Sequence, residues 1–152
     1  ALRSFPSCAE AFVVRGQAQL DLGDAVNAMA DLAKAIELSH AQGARFAAST
    51  AYAAKADACV TLQCYDQAVN DCDEALKLAV NPLAMAIRGE AKLLSHCYRE
   101  ALVDCGDALA LEPHDPYTLA IRAEAHLCLG EVLEAIDDCD QALEMCPGLE
   151  YA

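Results

Sequence analysis

The chain repeats itself about every 34 residues, and this periodicity constrains its fold more than any other feature. Four alanines mark the repeat in the similar fragments N-A-M-A-D, Q-A-V-N-D, E-A-L-V-D and E-A-I-D-D: Ala28, Ala68, Ala101 and Ala135. They are separated by 40, 33 and 34 residues, and another alanine follows each of them seven residues later. A step of seven returns a side chain to the same helix face. The pattern therefore predicts four copies of one helical unit.

Each unit also contains an upstream stretch that reads as a separate helix. This stretch carries a small residue at an equivalent place in every unit: Gly16, Ala56, Gly89 and Ala123. A break at D-L-G-D, L-Q-C-Y, S-H-C-Y or C-L-G-E separates it from the downstream stretch. The 152 residues include 33 alanines and no tryptophan, a composition that favours helix over strand. Each unit is thus predicted to be a first helix, a short turn and a second helix.

This arrangement resembles the tetratricopeptide repeat (TPR), a family of stacked helical hairpins. The fourth unit is the strongest match, with small residues, the turn glycine Gly130, paired alanines and the closing proline Pro147. The resemblance implies an all-α solenoid of four helix-turn-helix repeats that forms a right-handed superhelix. We expect one domain over 9–147, with units at about 9–42, 49–80, 82–115 and 116–147. Residues 1–8 would be a lead-in and residues 148–152 a tail.

The units depart from the family pattern in two places. Six extra residues follow the first unit within Ser39–Ser49, and they predict an extended helix, a longer loop between repeats or a binding loop. In the two middle units, Gln63 and His96 replace the turn glycine, which leaves the geometry of those turns open.

A base and an acid recur at a constant offset in all four units. The first helices carry the bases Arg15, Lys55, Arg88 and Arg122, and sixteen residues later the second helices carry the acids Asp31, Asp71, Asp104 and Asp138. In an antiparallel hairpin this offset brings the two side chains toward each other. Four equivalent ion pairs are predicted, and their repetition indicates a structural rather than a catalytic role.

The charge balance excludes several classes of partner. Ten Lys and Arg against 24 Asp and Glu give a net charge of −14, which repels phosphate backbones and anionic lipid surfaces. No apolar run approaches the roughly 18 to 20 residues that cross a bilayer. We therefore expect neither nucleic-acid binding nor direct membrane insertion.

The nine cysteines include no C-x-x-C pair, and several recur with the repeat as core residues would: Cys72, Cys105 and Cys139. Buried, reduced thiols are predicted, which indicates an intracellular reducing compartment. The cytoplasm is the expected one, and an organelle is also compatible.

The sequence carries no signature of an enzyme. It lacks the phosphate-binding, zinc-protease and nucleophile-elbow motifs, and its four histidines lie in different units. An enzyme with a metal or thiol site would require a cluster of Cys and His that the repeat does not assemble. No catalytic residue, metal or cofactor is therefore expected.

In the TPR family the first helices line a concave groove, so the resemblance implies a partner-binding surface. The matching residues are Glu10, Val13, Gln17, Leu20, Thr50, Ala53, Asp57, Val60, Leu83, Ala86, Glu90, Leu93, Tyr117, Ala120, Glu124 and Leu127. They form a polar or acidic stripe beside an aliphatic stripe. Such a wall suits a protein or peptide segment with apolar anchors and Lys or Arg, although the same residues could be solvated helix positions.

The best-known TPR relatives bind acidic chaperone tails through a clamp of Lys, Asn and Arg side chains. Matched to the first three units, the clamp positions hold Val13, Gln17, Ala54, Leu83 and Ile87. Matched to the last three units, they hold Ala53, Asp57, Ile87, Tyr117 and Ile121. Neither set contains a base, so this clamp is predicted to be absent.

Three functions stay open: a scaffold or adaptor within a larger assembly, a co-chaperone-type peptide receptor without the clamp, and the disfavoured enzyme. The second helix of the fourth unit adds one expectation, because it carries apolar residues that need a cover: Leu133, Ile136, Cys139, Leu143 and Met145. Further chain, a second copy or a partner subunit is expected to cover this end.

Overall fold

The computed structural model describes residues 8–145, and within this range it contains eight α-helices and no strand. In chain order they are α1 (Cys8–Asp21), α2 (Ala25–Ala41), α3 (Arg45–Thr61), α4 (Tyr65–Leu78), α5 (Pro82–Leu94), α6 (Tyr98–Leu111), α7 (Pro116–Leu129) and α8 (Val132–Glu144). The predicted all-α class and the four helix-turn-helix units are confirmed.

The helices pack as four consecutive hairpins in two layers. The first helices α1, α3, α5 and α7 each contact the second helix of their own hairpin and the neighbouring first helices. From the second hairpin onward, each first helix also contacts the second helix of the preceding hairpin. The result is a solenoid in which one layer is made of first helices and the other of second helices.

Small side chains allow the two helices of a hairpin to approach closely. A Cβ atom added at Gly89 would lie 2.9 Å from the Cys105 Sγ atom, and one added at Gly16 would lie 2.9 Å from Leu32 Cγ. Alanines fill most of the remaining core positions. The helices therefore meet through backbone and small side chains rather than through large apolar residues.

Helix starts are fixed by side-chain caps at several hairpins. Asn81 and Asp115 precede prolines at the first turns of α5 and α7, and their side chains accept hydrogen bonds from the backbone N–H groups of Ala84 and Thr118. This combination of a capping oxygen and an early proline is the usual start of a stable helix.

The turn inside each hairpin has the same backbone geometry in all four units. The φ angles are 80° at Gly23, 61° at Gln63, 64° at His96 and 79° at Gly130. The turns that contain Gln63 and His96 therefore have the same geometry as the two turns that contain glycine. Gln63 and His96 instead adopt a left-handed conformation that L-residues disfavour.

The six extra residues after the first unit lengthen two helices. Helices α2 and α3 each contain 17 residues, whereas the other helices contain 13 or 14. Of the alternatives considered, the extended helix describes this segment. Helix α3 begins at Arg45, before the predicted start of the second unit at residue 49. Residues 1–7 and 146–152 lie outside the described part, so the limits of the domain stay a prediction.

The prediction that the cysteines are buried is wrong for most of them. Among the eight cysteines in the described range, Cys59, Cys72 and Cys105 are buried, and the rest are exposed: Cys8, Cys64, Cys97, Cys128 and Cys139. Burial raises the pKa of the Cys59 thiol to about 11 and that of Cys105 to about 12. Cys139 differs from its repeat equivalents Cys72 and Cys105 because no further hairpin follows α8 in the described chain.

Candidate protein-binding groove

The base and the acid of each hairpin lie within ion-pair distance. The shortest N–O distances are 2.5 Å for Arg15–Asp31, 2.9 Å for Lys55–Asp71, 2.6 Å for Arg88–Asp104 and 2.5 Å for Arg122–Asp138. Each of the three arginines binds its aspartate through Nε and Nη2, the planar two-bond geometry that suits a carboxylate.

Arg88 and Asp104 each form an additional ion pair that the sixteen-residue offset did not predict. Lys92 Nζ lies 2.8 Å from Asp104, and Arg88 Nη1 lies 2.6 Å from Asp73 of the preceding hairpin. Burial by itself lowers the pKa of Arg88, but its hydrogen bonds to Asp104 and Asp73 outweigh burial and raise that pKa. The pairing of Lys92 with Asp104 could have been predicted from the sequence, because Lys92 follows Arg88 by four residues and lies on the same helix face.

Most of the bases are thus engaged between or along helices. Lys34 and Lys77 pair with Glu37 and Glu74 of their own helices, at 2.8 Å and 2.5 Å. By contrast, none of the ion pairs found within residues 8–145 involves the first-helix acids Asp21, Asp57 or Glu90. This asymmetry gives the groove its electrostatic character.

Four residues from the four first helices form what we call the acidic groove cluster: Asp21, Asp57, Glu90 and Tyr117. The Tyr117 hydroxyl donates a hydrogen bond to Glu90 Oε2, which joins α7 to α5. The pKa of Asp57 is raised, first by burial and then by repulsion from Glu90 and Asp21. The pKa of Tyr117 is also raised, by burial and by its bond to Glu90.

This cluster differs in membership from the predicted stripe of Gln17, Asp57, Glu90 and Glu124. The structure brings Asp57 and Glu90 together, and Glu124 is exposed farther along on α7. Tyr117 joins through its hydroxyl group. Asp21 was missed, although it follows Gln17 by four residues and therefore lies on the same helix face.

At the α1–α3 end, the groove contains an apolar recess of about 310 Å³. Its lining brings together Glu10, Val13, Gln17 and Thr50, all of which were predicted, with Phe46. Phe46 is 71% exposed and was not predicted, because it lies in the lengthened start of α3 that has no counterpart in the other units. The recess offers a binding surface for an apolar side chain.

The predicted set of sixteen groove residues is only partly accessible in the structure. Five of its small or aliphatic residues are buried: Val13, Ala53, Val60, Ala86 and Leu93. The neighbouring first helices contact one another and cover this side of each helix. Leu20 is half-buried, whereas Leu83, Ala120 and Leu127 are exposed on α5 and α7.

The tetratricopeptide-repeat family model matches residues 1–54 of the chain. None of the curated proteins matches its sequence. The chain is similar in structure to the TPR domain of Arabidopsis OM64, with 27% identity and a TM-score of 0.70 over 78% of this chain and 94% of that domain.

Two further structures have the same fold. The thermophilic TPR protein TTC0263 of Thermus thermophilus is 24% identical, with a TM-score of 0.79 over 95% of this chain and 77% of that one. The first TPR domain of human RPAP3 is 20% identical, with a TM-score of 0.74 over 85% of this chain and 98% of that domain.

The stacked hairpins define a helical-repeat solenoid. The family model match over residues 1–54 and these solved structures show that the chain is similar in fold to tetratricopeptide-repeat proteins. Proteins of this family generally act as non-catalytic scaffolds for protein–protein interaction. In the described range no group of three or more His, Cys, Asp or Glu could hold a metal ion. Among the same residues, no helix is long and apolar enough to span a membrane.

Proposed function

We propose that this chain is a scaffold or adaptor module that binds a protein segment in its concave groove without catalysing a reaction. The segment would carry at least one Lys or Arg and one apolar anchor. The observation that carries the proposal is the acidic groove cluster, in which three first helices direct carboxylates at one region.

The electrostatics of Asp57 favour a cationic partner. Its raised pKa means that burial and the neighbouring carboxylates make the ionised form unfavourable in the free protein. A Lys or Arg side chain that enters the cluster would pair with these carboxylates and relieve their repulsion. The hydrogen bond from Tyr117 holds Glu90 in place, so less side-chain freedom is lost on binding.

The recess between α1 and α3 supplies the apolar part of the recognition. The exposed Phe46 ring and the neighbouring aliphatic groups would bury an apolar side chain of the same segment. A segment that uses both features would lie across several hairpins. This arrangement is the one expected of a solenoid that binds extended or helical peptides.

Selection from a random-sequence peptide library tests the proposal. We expect the chain to enrich peptides that combine Lys or Arg with apolar residues. A triple variant with Asp21→Lys, Asp57→Lys and Glu90→Lys should bind the selected peptides about tenfold or more weakly. The control changes Asp66, Asp107 and Glu134, which are exposed acids of second helices, to Lys.

The two triple variants have the same net charge, so once circular dichroism shows that both are folded, a difference in binding reports on the groove positions. The proposal fails if no peptide is enriched, if the enriched peptides are acidic, or if the two triple variants bind equally well. Enrichment of acidic peptides would favour the alternative, a co-chaperone-type receptor. That alternative is disfavoured because the matched clamp positions hold no base, and Val13, Ala54 and Ile87 among them are buried.

A further inference from the structure

The last helix exposes a face that equivalent helices bury. Leu143 of α8 is 62% exposed, whereas its repeat equivalent Leu109 of α6 is 7% exposed. Cys139 is exposed, whereas its equivalents Cys105 and Cys72 are fully buried. Cys72 of α4 and Cys105 of α6 belong to apolar clusters that include residues of the next first helix, and Leu76, the α4 equivalent of Leu143, packs against the first of these clusters. We call Ile136, Cys139 and Leu143 the α8 end face.

The first helix exposes the matching face. Ala11, Val14 and Ala18 of α1 are exposed, and Val14 is 66% exposed. The equivalents in the other three first helices are buried: Ala51, Ala84 and Thr118 for Ala11; Ala54, Ile87 and Ile121 for Val14; and Ala58, Ala91 and Ala125 for Ala18. All of them except Ala58 and Thr118 belong to apolar clusters that include residues of the preceding hairpin. We call Ala11, Val14 and Ala18 the α1 end face.

The two end faces are complementary in shape, because the chain already contains the interface that they would form. Ile36, the first-unit equivalent of Leu143, shares an apolar cluster with Ala51 and Ala54. The α1 equivalents of those alanines are Ala11 and Val14. Ala11 lines a surface recess of about 260 Å³ beside Phe12, where the Leu143 side chain of another molecule would insert.

The two faces are also complementary in charge. Within the chain, Arg88 binds Asp104 of its own hairpin and reaches Asp73 of the preceding hairpin with Nη1. Arg15 is the α1 equivalent of Arg88 and binds Asp31 through the same two nitrogens that Arg88 uses for Asp104. Asp140 is the α8 equivalent of Asp73, and the corresponding residue of α6 is Gly106. A docked copy would therefore place Arg15 near Asp140.

We infer that copies of this chain associate head to tail, with the α1 end face of one copy packed on the α8 end face of another. The contact repeats the internal hairpin interface and continues the solenoid across molecules. It is heterologous, because the two faces differ, so it leaves a free face at each end and extends beyond a dimer. Leu133 is outside this contact, because its equivalents Asp66 and Arg99 are exposed in the middle of the array.

The test is sedimentation velocity of the 152-residue chain over a range of concentrations at physiological salt. We expect the average mass to rise with concentration past that of a dimer. Ala18→Glu should weaken association about tenfold or more, because it places a bulky carboxylate in a helix contact that is filled only by alanine in the other units. Asp140→Lys should weaken association by a smaller factor, because it sets a positive charge against Arg15.

Each variant has a matched control on the same protein. Ala30→Glu and Asp137→Lys make the same chemical changes at exposed positions whose equivalents in the other units are also exposed, and they should associate like the unmodified chain. Circular dichroism confirms that every variant is folded.

A chain that stays monomeric at all concentrations, or that stops at a closed dimer, overturns the inference. Equal effects of the Ala18→Glu and Ala30→Glu variants would also overturn it. The groove variants described above leave both end faces intact, so failure of this inference and failure of the proposed function can be distinguished.

Discussion

At the scale of single residues, buried carboxylates fix how each hairpin closes. The Asp104 side chain is only 3% exposed and forms ion pairs with both Arg88 and Lys92. A buried carboxylate destabilises the fold if its cationic partners are removed, and buried cations destabilise it if the carboxylate is removed. The ion pairs therefore determine which helix face meets which, beyond what the small apolar residues specify.

Removing the charge of Asp104 tests this role. We expect Asp104→Asn to lower the free energy of unfolding by about 1 to 3 kcal/mol, because two partly buried bases lose their shared partner. The exposed acid Glu74, which pairs with Lys77 on the surface, provides the control, and Glu74→Gln should change stability by less than about 0.5 kcal/mol. Urea unfolding measures both values. Equal midpoints for the two variants would contradict a structural role for the pairs.

The left-handed turn residues offer a second prediction at this scale. Gln63→Gly should raise the free energy of unfolding by about 0.5 to 1 kcal/mol, because glycine adopts a positive φ without a steric penalty. Gly130→Gln should lower it by a similar amount, since open space surrounds Gly130 and only the backbone conformation is affected. Thermal unfolding followed by circular dichroism measures both changes. A Gln63→Ala variant that gained as much stability as Gln63→Gly would contradict the explanation.

At the scale of elements, the packing of α3 against α5 keeps Asp57 near Glu90. Stability alone would not favour two ionised carboxylates at one place, and no base of the described chain is recorded as an ion-pair partner of either. Repulsion retained on a binding surface is a familiar compromise between stability and function. Under the proposed function, the same acids would favour cationic side chains over acidic ones in the groove.

Neutralising Asp57 should therefore separate stability from binding. The folded-state pKa of Asp57 is raised above its ordinary value, so its ionisation destabilises the fold as the pH rises through these two values. Asp57→Asn removes that penalty and should raise the melting temperature at neutral pH while weakening the binding of a basic peptide. Below the ordinary pKa of aspartate, the gain should disappear.

The exposed Asp107 of α6 provides the control, because Asp107→Asn should change neither the melting temperature nor peptide binding. A lower melting temperature for Asp57→Asn at neutral pH would contradict the assignment.

At the scale of the whole molecule, the repeat explains why so much of the fold could be predicted. Helix periodicity and the constant offset between Arg88 and Asp104 are local in sequence, so they predict hairpins and the contacts within them. Which groove residues stay accessible depends on how hairpins stack, and Val60 and Leu93 are buried for that reason. The hydrogen bond between Tyr117 and Glu90 joins two units, and no repeated sequence pattern indicates it.

The role of Phe46 in the recess could not be predicted for a related reason. It lies in the segment where the repeat is interrupted, so no equivalent residue indicated its position. The candidate site thus combines periodic residues, which the sequence could indicate, with residues that only the packed array brings together.

The central claim is that the groove binds a basic and apolar segment, and amide NMR of the labelled chain with a selected peptide tests it most directly. We expect the largest chemical-shift changes at the groove-facing residues of α3, α5 and α7, centred on Asp57, Glu90 and Tyr117, with a second set around Phe46. A peptide in which Lys and Arg are replaced by Gln should lose the first set and keep weaker changes around Phe46. Shift changes confined to second helices such as α4 and α6, or to the two end faces, would contradict the account.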